Sequence, residues 1–290
     1  MPWLVRAVWA ALPFTVGPTL AAALEGASGP VRTVASAGLW AGWAVGMVTA
    51  ALAHPATLTT LRVAAPAVAL FVASAALGGH PSPLAAGWSV MVVAWVFAPT
   101  LGAYCVNGPA YPDERRYLLR APGTLLAGPL ALAWGLAVGG VCGGPLLLAA
   151  RRWLEGAVLT AVGAPLAVVL LRSLHNLSRR WVVFVPAGLV LHDPLSLLDP
   201  VLVRRQLVAH LRPAPAWASA ADAADTSAVD LTQGAPGLAL ELILSEAVSL
   251  TLVRPGRRLG RPRSATAVLF TPTRPGAVLE EGRARRFPVG

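Results

Sequence analysis

The hydrophobic pattern of this chain changes character once. Up to about residue 174 the apolar positions run in long stretches, and from residue 178 they come in short runs separated by turn residues. A helix crossing a bilayer core about 30 Å thick needs about 20 largely apolar residues. Six stretches approach or meet that length, at 7–24, 33–53, 63–79, 84–106, 126–150 and 154–174. The third and fourth are separated by Gly79-His80-Pro81-Ser82-Pro83, which no continuous helix tolerates. The sixth has Glu155 and Arg172 near its ends. The first, with Arg6 ahead of an apolar run and Ala21-Ala22-Ala23 near its close, also has the outline of a signal peptide. Pro13 and Pro18 interrupt it and five further stretches follow, so it is read as a retained span.

Beyond Ser178 the pattern predicts strands. Trp181-Val182-Val183-Phe184-Val185, the turn Pro186-Ala187-Gly188 and Leu189-Val190-Leu191-His192 read as a β-hairpin. Residues 201–211 fit either a strand or a short helix, and 213–230, rich in Ala, Pro, Ser and Asp, reads as a flexible insertion. Further strands are expected at 238–244, 248–253 and 265–271. Thr273 as N-cap, with Pro275 in the first turn, predicts a last helix to about Arg286. The expected division is a helical membrane domain, 1–177, followed by a mainly β domain, 178–290.

Composition agrees with the pattern. The chain is 56% hydrophobic, only 12% charged and has a mean hydropathy of +0.65, outside the range of soluble globular proteins. All 23 basic residues are arginine, as in proteins from GC-rich genomes. The net charge of +10 is spread evenly: 9 arginines against 4 acids up to residue 178, and 14 against 9 beyond it. That even spread, with no helix-turn-helix, zinc-finger or RNA-recognition motif, argues against a nucleic-acid partner. Two cysteines, Cys105 and Cys142, both in apolar stretches, exclude a disulfide framework and a multi-cysteine zinc site.

Arginine-rich short loops stay on the cytoplasmic side of a membrane. With both termini inside, the cytoplasmic segments hold Arg6, Arg62, Arg115, Arg116, Arg120, Arg172, Arg179 and Arg180, against Arg32, Arg151 and Arg152 outside. The expected location is therefore the cell membrane, multi-pass, with both termini cytoplasmic.

Little in the chain points to catalysis. His54, His80, His175, His192 and His210 are widely spaced, with no HExxH. No GxSxG, GxGxxG or phosphate loop occurs. No ionisable residue lies near the centre of an expected span, and Gly139-Gly140 and Gly143-Gly144 suit close helix packing. Pro13, Pro18, Pro66, Pro145 and Pro165 could break helices as in transporters, or simply kink them. Two charged segments are candidate contact sites. Asp113, Glu114, Arg115, Arg116 and Arg120 form a loop between spans able to dock on the C-terminal domain. Arg254, Arg257, Arg258, Arg261 and Arg263 crowd what is expected to be a hairpin loop, a candidate contact for anionic lipid or a protein partner.

The Arg179-Arg180 pair and hairpin directly after a span, the further hairpin strands, and a last strand running into Thr271-Pro272-Thr273-Arg274-Pro275-Gly276-Ala277-Val278-Leu279 resemble the bacterial pleckstrin-homology-like (PH-like) domain. The resemblance covers roughly 179–286 and implies a bent antiparallel sheet closed by a C-terminal helix. Phosphoinositide-binding members place a basic pair across the first hairpin, whereas the turn here is uncharged. Through Val106-Asn107-Gly108-Pro109-Ala110-Tyr111-Pro112-Asp113-Glu114-Arg115-Arg116 the chain is also similar to uncharacterised multi-span membrane proteins of GC-rich Gram-positive bacteria. The functional expectation is a non-catalytic, membrane-anchored scaffold or regulator without a cofactor. The alternative, from a different class, is a small-solute or lipid transporter with a regulatory cytoplasmic domain.

Overall fold

The computed structural model describes the whole chain except Met1 and residues 216–226, 255 and 256. The chain forms two compact units, one helical (1–108 and 130–175) and one mainly β (109–129 and 176–290). A single division between 177 and 178 therefore misplaces 109–129, which belongs with the C-terminal part of the chain.

In the helical unit the first apolar stretch is three helical pieces, α1 (Pro2–Ala10), α2 (Leu12–Thr15) and α3 (Gly17–Ala23). The interruptions fall where Pro13 and Pro18 each occupy the first turn of the next piece. Continuous helices follow: α4 (Gly29–Ala51) and α5 (Pro55–Leu77). After them come α6 (Pro83–Phe97) and α7 (Pro99–Asn107). A single turn, α8 (Gly123–Leu126), lies in the other unit, and α9 (Pro129–Ala149) and α10 (Trp153–Leu177) complete the helices. Taking Trp3–Ala23 (α1–α3) as one interrupted helix, five helices among the described residues are long and apolar enough to cross a membrane, six if α6 and α7 are one bent span.

Two of the expected spans change, the fourth being broken and the third starting earlier, whereas the internal prolines do not break their helices. Pro66, Pro145 and Pro165 sit inside unbroken helices. The break falls at Ala98-Pro99, where α6 and α7 diverge by 49°. Ala98 is held at ψ 132°, outside the helical region, because the following proline ring disfavours a helical residue before it. The third span starts at Pro55, not at residue 63, and so includes Arg62. Its start is fixed by His54, whose ring accepts from Ala56 N at 3.1 Å, and by Thr57, whose hydroxyl accepts from His54 N at 3.3 Å.

Close packing within the helical unit rests on small residues and indoles. Trp9 and Trp43 each donate Nε1–H to the other's backbone carbonyl, at 3.0 and 3.2 Å. Gly46 makes room, since a Cβ there would overlap the Trp9 indole. Between α9 and α10, Gly140 and Gly163 meet backbone to backbone. Arg6 reaches Ala50 O at 3.1 Å and Ala51 O at 2.9 Å, satisfying carbonyls left open at the end of α4.

The β unit has two four-stranded sheets. In the first, β1 (Arg115–Leu118), β2 (Trp181–Val185), β3 (Gly188–His192) and β4 (Val201–Arg204) form an antiparallel meander. The second has the order β5-β7-β8-β6, from β5 (Val208–Pro213), β6 (Ala228–Asp230), β7 (Leu240–Arg254) and β8 (Arg257–Phe270), with β6 parallel to β8. The ambiguous 201–211 segment is thus two strands joined by a 3-10 turn, and the strands expected at 238–244 and 248–253 are one, with a register shift between Ile243 and Val248. Of the expected flexible insertion at 213–230, residues 216–226 lie outside the described residues, whereas 228–230 form β6.

The two sheets are joined at two places. On one side Leu119 bridges Pro272, Arg120 N donates to Thr271 O at 2.8 Å and Thr273 N to Leu118 O at 2.8 Å. On the other, Leu197 bridges Leu252, with Leu198 N donating to Thr251 O and Val253 N to Ser196 O. Between the sheets lie Val182, Phe184, Leu189, Leu240, Leu242 and Phe270, all buried. Helix α11 (Pro275–Ala284) brings Val278 onto this core, and the chain end returns so that Phe287 packs edge-on against Phe184. The N-cap of α11 is Arg274, not Thr273, because the backbone of Thr273 is engaged by β1.

Candidate functional site

The segment carrying Asp113, Glu114, Arg115, Arg116 and Arg120 is not a free loop. Arg115 and Arg116 lie in β1, paired with Phe184 and Val183 of β2. Glu114 accepts from Arg116 at 3.0 Å, and the Arg116 guanidinium lies 5.6 Å from the centre of the Trp181 ring. Tyr117 turns to the other face of the strand, packs edge-on against Phe184 and donates to Glu281 of α11 at 3.3 Å. Burial, with the Glu281 carboxylate, pushes the Tyr117 hydroxyl up to about 12.

Behind β1 sits a buried polar centre. Arg180 and Asp193, each 1% exposed, form a two-pronged ion pair at 2.8 and 2.7 Å. Arg180 also donates to Arg120 O at 2.8 Å and Leu231 O at 3.0 Å. Asp193 accepts from Leu195 N and the Ser196 hydroxyl, and Ser196 in turn accepts from Gln233. One guanidinium thereby ties together the first hairpin, the end of β1 and the segment after β6. The basic pair after the last span thus divides, with Arg179 exposed and Arg180 buried. Strand pairing carried a usable signal, since a two-residue turn at Pro186-Ala187 pairs Trp181 with His192 and sets Arg180 opposite Asp193.

His192 stacks on Trp181 with ring centres 5.0 Å apart, and its Nε2 is buried without a hydrogen-bond partner. Burial, reinforced by the positive charge of Arg179, holds its pKa below the ordinary value. Arg116, Trp181 and His192 therefore make a cation–indole–imidazole group across three strands.

The second arginine cluster is not a loop but the far part of a long two-stranded ribbon. Arg254 pairs with Arg257, Leu252 with Arg261 and Leu250 with Arg263, so the connection is confined to residues 255 and 256, outside the described residues. Arg261 and Arg263, two apart on β8, share one face and are exposed. The side chains of Arg254, Arg257 and Arg258 are not among those described. The ribbon extends where a loop was expected because alternating Leu250, Leu252 and Val248 on β7 offer β8 a continuous partner.

The helical unit holds one polar group that span-by-span reading missed. Arg62, on α5, lies with its guanidinium 5.5 Å from the centre of the Phe97 ring, next to the α6–α7 break. Its Nε is buried and has no hydrogen-bond partner. One turn earlier on α5, Thr59 bonds His175 of α10 at 2.9 Å. The start of α5, with its His54–Thr57 cap just before Arg62, was the available signal.

Among the described residues no group of three or more His, Cys, Asp or Glu side chains could hold a metal ion. No family model, curated protein or solved structure matches the chain.

Proposed function

We propose that this chain is a multi-pass protein of a bacterial cell membrane, of the GC-rich Gram-positive kind its sequence resembles. In this reading it is a non-catalytic scaffold or regulator whose β unit is a PH-like domain working at the cytoplasmic membrane surface. The observation that carries the reading is the construction of the β unit from two chain segments with a helical hairpin, α9–α10, inserted between its first two strands. A domain whose only link is one flexible tether can swing away from a bilayer. Here both ends of a helical hairpin enter the same folded unit, one through Pro129 and one through 176–180, so the unit is tethered at two points of the chain and not at one. A four-stranded meander, a second sheet and a closing C-terminal helix support the PH-like assignment.

Strand pairing also supports the sidedness. Because β1 and β2 share a sheet, the segment before α9 and the segment after α10 lie on one side of the membrane, as a two-span hairpin requires. That side carries Arg115, Arg116, Arg120, Arg172, Arg179 and Arg180, a bias that supports a cytoplasmic location for it. An enzyme active only outside the cytoplasm, fused after Gly290, should give no signal.

Arg257, Arg258, Arg261 and Arg263 supply the contact with anionic lipid, at about 1 kcal/mol per arginine near the surface. The test is hydrogen exchange of the β7–β8 ribbon in the full-length protein, reconstituted in anionic and in neutral nanodiscs. Protection in anionic discs, lost at high salt and on changing those four arginines to serine, supports the reading. Equal exchange in both lipids refutes it and leaves a protein partner as the occupant of that surface.

The bent α6–α7 pair favours transport as the second reading, since broken helices line substrate sites in transporters. Cys105 on α7, 2% exposed, reports on it. A small charged thiol reagent should leave Cys105 unmodified in the scaffold reading and label it if an aqueous path reaches the break.

A further inference from the structure

We propose that Arg62 is the cationic half of a phosphate site in the helical unit, occupied by the headgroup phosphate of a bilayer lipid or by free phosphate. The inference is independent of the role assigned to the β unit.

The argument begins with charge. The segments that build the helical unit contain only two acids, Glu25 and Glu155. Glu25 lies in the connection from α3 to α4, whereas Arg62 lies near the start of α5; the 23 residues of α4 separate the two connections by about 34 Å. Glu155 is at the start of α10 and is paired with Arg152 at 3.0 Å. Arg62 is near the opposite end of that helix, where His175 bonds Thr59. The end of the bundle that holds Arg62 thus has no carboxylate of its own. Arg6, at that same end, is spent on the carbonyls of Ala50 and Ala51.

The immediate surroundings leave the charge unanswered. The Phe97 ring provides one cation–π contact, which is weaker than the charge-assisted hydrogen bonds a guanidinium forms with an anion. The nearby hydroxyls are occupied, that of Thr57 donating to Leu52 O and His54 O, and that of Thr59 bonding Pro55 O and His175 Nδ1. The buried Arg62 Nε has no acceptor. A cation left in this state inside a span is costly, and such residues are retained where they meet a ligand or pathway.

The geometry favours phosphate over other anions. Arg62 is two turns into α5, and helical side chains lean toward the helix N-terminus. Its guanidinium is thereby directed toward the end of the helix that meets the headgroup layer. Arg62 as a whole is only partly buried, although its Nε is enclosed. A guanidinium offers donors in a planar fork that matches phosphate oxygens, and phosphate is the anion every phospholipid brings to that depth.

The test uses the full-length protein in a phosphate-free maltoside detergent, with two probes. Native mass spectrometry follows retention of added phosphatidylglycerol, and thermal unfolding follows inorganic phosphate against sodium chloride of equal ionic strength. The site predicts that one lipid, or phosphate ion, binds the wild-type protein above the salt control. Affinity should drop about tenfold or more in Arg62→Gln and less in Arg62→Lys, which keeps the charge but not the fork. It should stay unchanged in Arg172→Gln, an exposed arginine at the same end. Lipid retention without a phosphate effect assigns the site to headgroups, and the reverse assigns it to a soluble anion. Failure of both probes on the wild-type protein, or equal binding by Arg62→Gln, overturns the proposal. If Arg62→Gln does not fold, the wild-type and Arg62→Lys measurements decide it.

Discussion

Replacing Asp193 by alanine should unfold the β unit selectively. The substitution removes both acceptors of the 2.8 and 2.7 Å bonds from Arg180, leaving a guanidinium that is 1% exposed with only the carbonyls of Arg120 and Leu231. Stranding a buried charge costs about 3–5 kcal/mol. The Leu195 N–H and the Ser196 hydroxyl also lose their acceptor, although both are close enough to solvent to recover part of that loss. About 4 kcal/mol is a large share of the roughly 5–15 kcal/mol that holds a domain together. With a urea dependence of about 2 kcal/mol per molar, the midpoint should fall by about 2 M. Pulse proteolysis by trypsin in nanodiscs measures this, because the arginine-rich β unit is cut when it opens while the apolar helices offer few sites. The paired change Arg180→Met with Asp193→Leu removes both charges, leaves only neutral carbonyls unanswered, and should restore more than half of the loss. A shift below about 0.5 M for Asp193→Ala, or a double variant as unstable as the single one, would refute the account of Arg180 as a buried tie between three segments.

Three further outcomes follow from the same structure. A fragment starting at 179 lacks β1 and should be poorly folded by circular dichroism, whereas 109–129 joined to 176–290 through about eight Gly/Ser residues, reaching about 15 Å, should unfold cooperatively. Because the folded state depresses the His192 pKa, the β unit should keep its full stability above about pH 6.5 and lose it progressively as pH falls below that; His192→Gln should flatten the dependence of the urea midpoint between pH 7.5 and 5.5. Gly140→Leu would drive a side chain into the Gly163 backbone and should part α9 from α10, seen as faster crosslinking of cysteines placed across the hairpin.

The parts of this fold that a linear reading recovers are those whose pattern is local. Long apolar runs announced the helices, and the alternation around Pro186-Ala187 announced the first hairpin. The start of α5 was missed because Arg62 looked like the edge of an apolar stretch, although proline at the first helical position and a capping histidine lay eight and nine residues before the expected start at 63. The strand β1 was missed for a different reason. Arg-Arg-Tyr-Leu has no apolar face of its own, and its strand partner among the described residues lies beyond two long helices, α9 and α10. Treating Arg254–Arg263 as a loop followed charge density and overlooked the regular alternation on β7, which can hold an arginine-rich strand in register.

The interleaving of the units also sets an energetic link between them that needs no side-chain contact. Between Leu118 and Trp181 lie 62 residues, and only 13 of these fall outside α9, α10 and their turn. Loop-closure cost grows as (3/2)RT times the logarithm of loop length. If the helical hairpin is formed first, the effective loop that pairing β1 with β2 must close shrinks to the length of those 13 residues plus the gap between two neighbouring helices. The difference is about 1.4 kcal/mol, a tenfold change in the pairing equilibrium. The α9–α10 hairpin therefore acts as a clasp on the β unit's first sheet, and loosening the clasp should be felt in the sheet. Gly140→Leu, remote in sequence from every strand, should lower the urea midpoint of the β unit by about 0.5–0.7 M at the same urea dependence. The joined 109–129/176–290 chain with its short linker should show no such sensitivity, because it has no hairpin to open. A midpoint unmoved by Gly140→Leu, in protein whose cysteine crosslinking shows the helices parted, would mean that β1 is held by the Arg120 and Leu119 connections alone and that the hairpin contributes nothing to the sheet.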